Sequence, residues 1–223
     1  MKKVVVVAVH PDDETIGCGG TLLRHKDQGA EIHWVICTSV YEEEGFSKER
    51  VTSRAAEIEK VADMFGFDSV HQLGLKTMRV DEYCASTLVG HFSRVFSEIE
   101  PEVVYLPFKS DVHSDHRHVF NAAFACTKSF RYPSIKRVLM METASETEFA
   151  PATKEDIFLP NTFVDITPYL QKKLDILRVF ESEFAAHPFP RSLRNAEALA
   201  VHRGATAGCE FAESFSLLKD IQK

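Results

Sequence analysis

Residues able to do chemistry crowd together at two places in the chain, His10-Pro11-Asp12-Asp13-Glu14 and Asp111-Val112-His113-Ser114-Asp115-His116. The first offers an imidazole and a carboxylate three residues apart, on a turn tied by Pro11. One imidazole from the second makes three N/O ligands and leaves a fourth position for water, as in catalytic zinc sites. No cysteine falls in either stretch, which argues against a closed thiolate site. Asp12 adjoins Asp13 too closely to share a metal with it easily. It is better placed as a base facing the water, whose pKa a metal lowers toward ~7. Taken singly, each stretch also reads as a solvated helix start, with an Asp, or Ser114 or Asp115, as N-cap. The imidazoles weigh against that. At the positive end of a helix they are favoured only when neutral, and neutral imidazole is the metal-binding form.

Alternating strands and helices must position these residues. Val4–Val9 is a β-branched run suited to a strand buried on both faces. A helix is expected over Gly17–Gly29, a strand over Glu31–Cys37, an acidic loop over Thr38–Phe46, and a helix over Lys48–Phe65 ended by Gly66. Val70–Leu73 reads as a strand, Asp81–Glu100 as a long helix and Val103–Leu106 as a strand, with another helix starting near Ser114. After Phe130 the pattern loosens, leaving strands at Arg137–Glu142 and Thr162–Ile166 and a helix at Thr167–Phe180. The order predicts an α/β fold: a Rossmann-like three-layer sandwich on a mostly parallel, doubly wound sheet. One domain is expected over 1–223, with a core over about 1–130 and a C-terminal elaboration over about 131–223. Ligands of such sheets bind beyond the carboxyl ends of the strands. The two clusters follow the first and fourth strands, so they converge there.

The 223 residues are 44% hydrophobic and 26% charged, which excludes a disordered or fibrous chain. A net charge of −7 gives no support to a nucleic-acid or anionic-membrane partner. The longest purely apolar run, Val4–Val9, is far short of the ~20 residues that span a bilayer. Met1-Lys2-Lys3 has the look of a signal-peptide start, but Asp12, Asp13 and Glu14 cut the apolar stretch off. Five widely spaced cysteines, none in Cys-x-x-Cys, point to reduced thiols and a cytoplasmic location.

Ala8-Val9-His10-Pro11-Asp12-Asp13-Glu14 with Gly17-Cys18-Gly19-Gly20 resembles the first motif of the PIG-L/LmbE-like zinc-dependent de-N-acetylases. His113-Ser114-Asp115-His116 resembles their second, His-x-Asp-His. Weaker matches are Arg54-Ala55-Ala56-Glu57, Val164-Asp165-Ile166-Thr167 with Lys173, Arg203-Gly204, and Ala212-Glu213-Ser214-Phe215. The resemblance implies His10, Asp13 and His116 as metal ligands and Asp12 as general base. It implies His113, oriented by Asp115, as oxyanion stabiliser and proton donor. It implies Zn2+ as the ion, with Fe2+ another divalent ion of the kind, and a small N-acetylated amino sugar as the substrate. A homo-oligomer is compatible with it. Where the family carries His-x-Ser-Gln, this chain reads Phe180-Glu181-Ser182-Glu183, a departure that touches the local substrate or subunit contact.

On a helical wheel Val51, Ala55, Ile58, Ala62 and Phe65 form an apolar stripe with Arg54 at its edge. Its guanidinium needs an acceptor, either Glu57 three residues on or a substrate carbonyl. Arg203 is a second, weaker substrate-binding candidate. The expected activity is metal-dependent removal of an N-acetyl group, with deacylation of another small N-acyl substrate or a non-catalytic metal- or sugar-binding module as alternatives. Asp12 favours catalysis, since a binding module has no need of a second carboxylate beside a ligand. A dinucleotide-binding oxidoreductase fails. Gly17 comes eight residues after the strand, Leu22 stands where the third glycine belongs, and no acidic residue closes strand two. A two-metal phosphoesterase lacks an evident set of bridging carboxylates.

Overall fold

A computed structural model describes residues 1–222. Seven strands form one sheet in the order β3-β2-β1-β4-β5-β7-β6. β1 (Lys3–Ala8), β2 (Glu31–Ser39), β3 (Ser69–Lys76), β4 (Val103–Leu106) and β5 (Arg137–Met141) run parallel. β7 (Ala212–Asp220) is antiparallel to both β5 and β6 (Thr162–Asp165). The chain order reverses between β1 and β4, where α/β sheets open a crevice for ligands.

The expected three layers are present, and β1 shows why. Val5, Val7 and Val9 face the core formed with α3 (Ala85–Ile99) and α4 (Ser114–Ala125). Val4, Val6 and Ala8 face the core formed with α1 (Asp13–Asp27) and α2 (Lys48–Phe65). A strand buried on both faces has no use for polar residues, so Val4–Val9 reads as one apolar run. Helix α2 keeps the expected bounds because both ends are specified. Ser47 Oγ accepts from the Arg50 amide, a cap worth about 1 kcal/mol, and Gly66 takes the left-handed conformation at φ 69°.

Other elements depart from expectation, each for a local reason. Helix α1 starts at Asp13 rather than Gly17, and kinks at Cys18. The glycines there permit close packing: a Cβ on Gly17 would lie 2.8 Å from Met141 Cβ, and one on Gly20 2.7 Å from Ile166 Cβ. The helix expected over Asp81–Glu100 begins only at Ala85, after a 3-10 turn at Val80–Glu82. The amides of Met78 and Val80 are instead bound by the buried Asp115 carboxylate, at 2.7 and 3.2 Å. The helix expected over Thr167–Phe180 contracts to α5 (Leu170–Leu177) after a 3-10 turn containing Pro168. The apolar stripe of α2 is rotated as well. Arg54, Glu57, Ile58, Val61 and Phe65 are its buried residues, and Ala55 is exposed. Two elements had no sequence expectation, α6 (Leu193–Ala207) and β7.

Candidate active site

The turn after β1 is bent back on itself. The His10 amide donates to Asp13 Oδ2 at 2.8 Å, and the Asp12 carbonyl accepts the first helical bonds from Thr15 and Ile16. Asp12 is thus the N-cap of α1 by its backbone, yet its side chain caps nothing. Its φ is 144°, a conformation that costs a non-glycine residue of order 1–3 kcal/mol and is kept where the surroundings over-determine it. The carboxylate turns into a cavity of about 580 Å³ instead. Oδ2 takes a hydrogen bond from Arg191 Nη1 at 2.9 Å, while Oδ1 is buried with no partner. Burial, with the neighbouring Asp13 charge second, pushes the Asp12 carboxyl up to about 7. Beneath it, burial pushes Glu14 up to about 8, and its carboxyl accepts the Asp12 amide.

At the start of α4 the N-cap is His113, not Ser114 or Asp115. Its Nδ1 accepts from the Asp115 amide at 3.1 Å. That bond leaves the proton of the neutral ring on Nε2. Burial, then the His10 ring, lowers the His113 pKa to about 4, so the imidazole is neutral near pH 7.

His10, Asp13 and His116 present one atom each to a common point. His116 Nε2 lies 3.4 Å from both His10 Nδ1 and Asp13 Oδ2, and the last two are 3.9 Å apart. Ligand atoms ~2.0–2.1 Å from a tetrahedral centre stand about 3.4 Å from one another. The other ring nitrogen of each histidine meets a carboxylate: His10 Nε2 is 3.4 Å from Asp115 Oδ2, and His116 Nδ1 is 2.8 Å from Asp111 Oδ2. Such carboxylate–histidine pairs fix the tautomer and orientation of metal-binding imidazoles. Burial disfavours an imidazolium at His116, but Asp13 and the bond to Asp111 outweigh it and raise the pKa to about 9. The pocket favours positive charge at this spot.

A second trio, His10, His113 and Asp115, also clusters. There the Asp115 carboxylate already holds two backbone amides and faces His10, and His113 Nδ1 is occupied. The first trio is the better cation site. Asp115 orients His113 through its backbone amide rather than its carboxylate, which stands 3.9 Å from His113 Nδ1. The carboxylate itself stands nearer His10, 3.4 Å from its Nε2.

The substrate candidates part company. Arg54 lines the cavity, but its guanidinium is engaged. It donates to the Pro11 carbonyl at 2.7 Å, meets Glu57 at 3.3 Å, pairs with Glu183 and lies over the Phe180 ring. Arg203 lies outside this cavity and pairs with Glu142, its Nε 2.9 Å from Oε2. The sequence reading missed Arg191, which reaches Asp12, Glu183, Glu146 and the Ser145 hydroxyl. It also missed Glu146, buried against the His113 amide at 3.2 Å. His118 is exposed, as its place on α4 predicts.

The family model described as PIG-L, GlcNAc-PI de-N-acetylase, matches residues 5–127, from β1 through α4. The chain belongs to the PIG-L family. Both clusters fall inside the matched span. Among curated relatives, the diacetylchitobiose deacetylase of Thermococcus kodakarensis is 23% identical over 228 aligned positions, 99% of this chain and 85% of that protein. The solved N,N'-diacetylchitobiose deacetylase of Pyrococcus horikoshii matches with a TM-score of 0.78 at 23% identity, over 98% of this chain and 84% of that one. The 4-carboxy-2-hydroxymuconate hydratase of Pseudomonas putida matches with a TM-score of 0.76 at 20% identity, over 100% and 98%. These likenesses establish the fold. The hydratase shows that the fold alone does not choose the reaction. No helix among the described residues is long and apolar enough to cross a membrane.

Proposed function

We propose that this chain is a metal-dependent hydrolase that removes the N-acetyl group from an N-acetylglucosamine-type sugar or glycoconjugate. The observation that carries the reading is the trio of His10, Asp13 and His116 atoms at tetrahedral spacing, beside the unpartnered, buried Oδ1 of Asp12. Two imidazoles and a carboxylate without thiolate suit zinc with an open position, and ferrous iron accepts the same donors. The relatives named as deacetylases support the amide substrate. Five unpaired cysteines support a reducing compartment.

His10, Asp13 and His116 would hold a divalent cation, which when bound would supply Lewis acidity for a water and the acetamide carbonyl. Asp12 takes the proton of the attacking water through Oδ1, while Arg191 fixes Oδ2. A base with a pKa near the working pH serves both directions of proton transfer. Asp12 therefore also returns the proton to the leaving amine. His113 is neutral and carries its proton on Nε2, so it donates a hydrogen bond to the carbonyl oxygen as negative charge develops there. The family resemblance implies a proton-donor role for His113 beside this one. A pKa of about 4 favours the hydrogen-bonding role over proton transfer.

The test is acetate release from a panel of N-acetylglucosamine glycosides, with bound metal measured on the same preparation. Release that needs about one ion per chain supports the reading. A metal-loaded protein that releases no acetate, yet adds water to an unsaturated carboxylic acid, would overturn it in favour of the chemistry of the hydratase relative.

A further inference from the structure

Beyond the reacting groups the cavity has a composition of its own. Three guanidinium groups line it, Arg50, Arg54 and Arg191, and ordinarily such a cluster marks an anion site. Here the anion is built in. The Glu183 carboxylate pairs with all three, through Oε1 to Arg50 and Arg54 and through Oε2 to Arg191 at 3.3 Å. Each also has a second partner within the chain: Arg50 bonds the Ser182 hydroxyl, Arg54 the Pro11 carbonyl, and Arg191 the Asp12 carboxylate. The arginines hold Glu183 ionised, overcoming the burial that opposes its charge. A further anion would have to displace Glu183 or lie against it. Apolar side chains, Phe46, Val51, Ile58 and Met78, line one part of the rest, while Thr38, Ser39, Gln72 and Thr77 line another and the Tyr41 hydroxyl donates to the Gly74 carbonyl. Met78 is 64% exposed at the edge of this wall.

We infer that the part of the substrate beyond the acetamido sugar is an uncharged aryl or alkyl group seated on the Phe46–Val51–Ile58–Met78 wall, and that Glu183 sets this preference by occupying the three-arginine cradle. This rests on the proposed deacetylase reading for the sugar, but not for the wall. An anionic aglycone would meet Glu183 as a like charge, whereas an apolar one covers surface that water now touches. Removing the Glu183 carboxylate should convert the same cavity into an anion site.

Calorimetric binding of 4-nitrophenyl N-acetylglucosaminide and N-acetylglucosamine 1-phosphate to the metal-loaded full chain tests it. The wild-type protein should bind the aryl glycoside at least tenfold more tightly than the phosphate. Glu183→Ala should gain at least tenfold for the phosphate, and Glu183→Gln should gain less, since its amide still fills the cradle. Phe46→Ala leaves the arginines untouched and should weaken only the aryl glycoside, about tenfold. Equal or tighter phosphate binding by the wild type, no gain in a folded Glu183→Ala protein, or no binding of either sugar would overturn the inference. Acetate release is scored separately. The expected binding pattern without acetate would leave this preference standing and defeat the deacetylase reading instead.

Discussion

The two walls of the active site are built in opposite ways. On one side, the turn after β1 and the start of α4 form a compact shell in which each member is held by the next: Asp13 by the His10 amide, His10 by Asp115, His116 by Asp111, His113 by the Asp115 amide. On the other, the segment from Phe180 to Ser192 carries no strand and only a 3-10 turn at Glu181–Glu183, yet it delivers Glu183 and Arg191. Its side chains meet the first wall through charge. Arg191 touches Asp12, and Glu183 touches Arg54, whose guanidinium holds the Pro11 carbonyl of the β1 turn. Rigid sheet ends can hold reacting atoms to the few tenths of an ångström that chemistry needs, while a loop can be re-fitted to a new substrate without disturbing them. If that division is right, damage to the first wall should abolish chemistry, and damage to the second should change selectivity, pH dependence or stability.

The largest effect should come from the shell itself. His116→Ala is expected to lose bound metal and turnover together, because it removes a proposed ligand and leaves Asp111 Oδ2 buried without its partner. Metal analysis and acetate release on the same sample check it. Full metal content in this variant would dissolve the contrast between the walls at its strongest point.

Asp12→Asn comes next. It should keep its metal and lose roughly 10²–10⁴-fold in kcat, the usual weight of a general base. The wild-type pH profile should carry the same residue's signature. Asp12 must be ionised to accept a proton, so the rate should rise with pH through its pKa. The surroundings put that value at about 7, and a dication at the adjacent ligands pulls it lower. Arg191 favours the ionised form, so Arg191→Ala should move this limb toward higher pH, with less turnover at pH 6. A limb that stays in place in that variant would break the proposed link between the two walls.

Asp115→Asn should act on the metal more than on His113. Its carboxylate faces His10 and the amides of Met78 and Val80, and an amide group in its place must turn N–H toward one of these donors. The expected loss is about 10–100-fold in metal affinity, with turnover of the metal-saturated protein much less affected. Competition with a chelator measures it. His113→Ala should do the reverse, keeping the metal and losing kcat. Identical phenotypes for the two would restore the pairing that the sequence motif implied.

The first wall was legible because its chemistry is local. His10-Pro11-Asp12-Asp13 and His113-Ser114-Asp115-His116 are contiguous, and the apolar run of β1 told which end of the sheet they share. Even there the partners were misjudged, since whether Asp115 faces His113 or His10 depends on the approach of two separate elements. The second wall gave no such signal. Glu183 and Arg191 lie where no periodicity runs, and their meaning comes from Arg50 and Arg54 more than 120 residues away. Helix α6 was overlooked because only Ala200 and Gly204 are buried in it, too little for an apolar stripe. β7 was overlooked because a strand that returns antiparallel between β5 and β6 is fixed by its neighbours, not by its own pattern.

The smallest effect should fall on Arg203, the residue whose motif suggested substrate and whose contacts indicate structure. Its guanidinium forks onto Glu142, which also accepts from the Ser214 hydroxyl at 2.8 Å, tying α6 to the end of β5 and to β7. Both partners are 17% exposed, so the pair is neither screened like a surface bridge nor fully desolvated. Arg203→Ala leaves the Glu142 carboxylate with one donor, at a cost of about 1–3 kcal/mol. In a chain of this size each kcal/mol lowers Tm by ~2–4 °C. Arg203→Lys restores the charge without the fork, and should recover only part of the loss. KM and kcat measured well below the melting range should match the wild type in both variants. A raised KM with unchanged Tm would return Arg203 to the substrate, and would mean that α6 moves toward the cavity when the site is occupied.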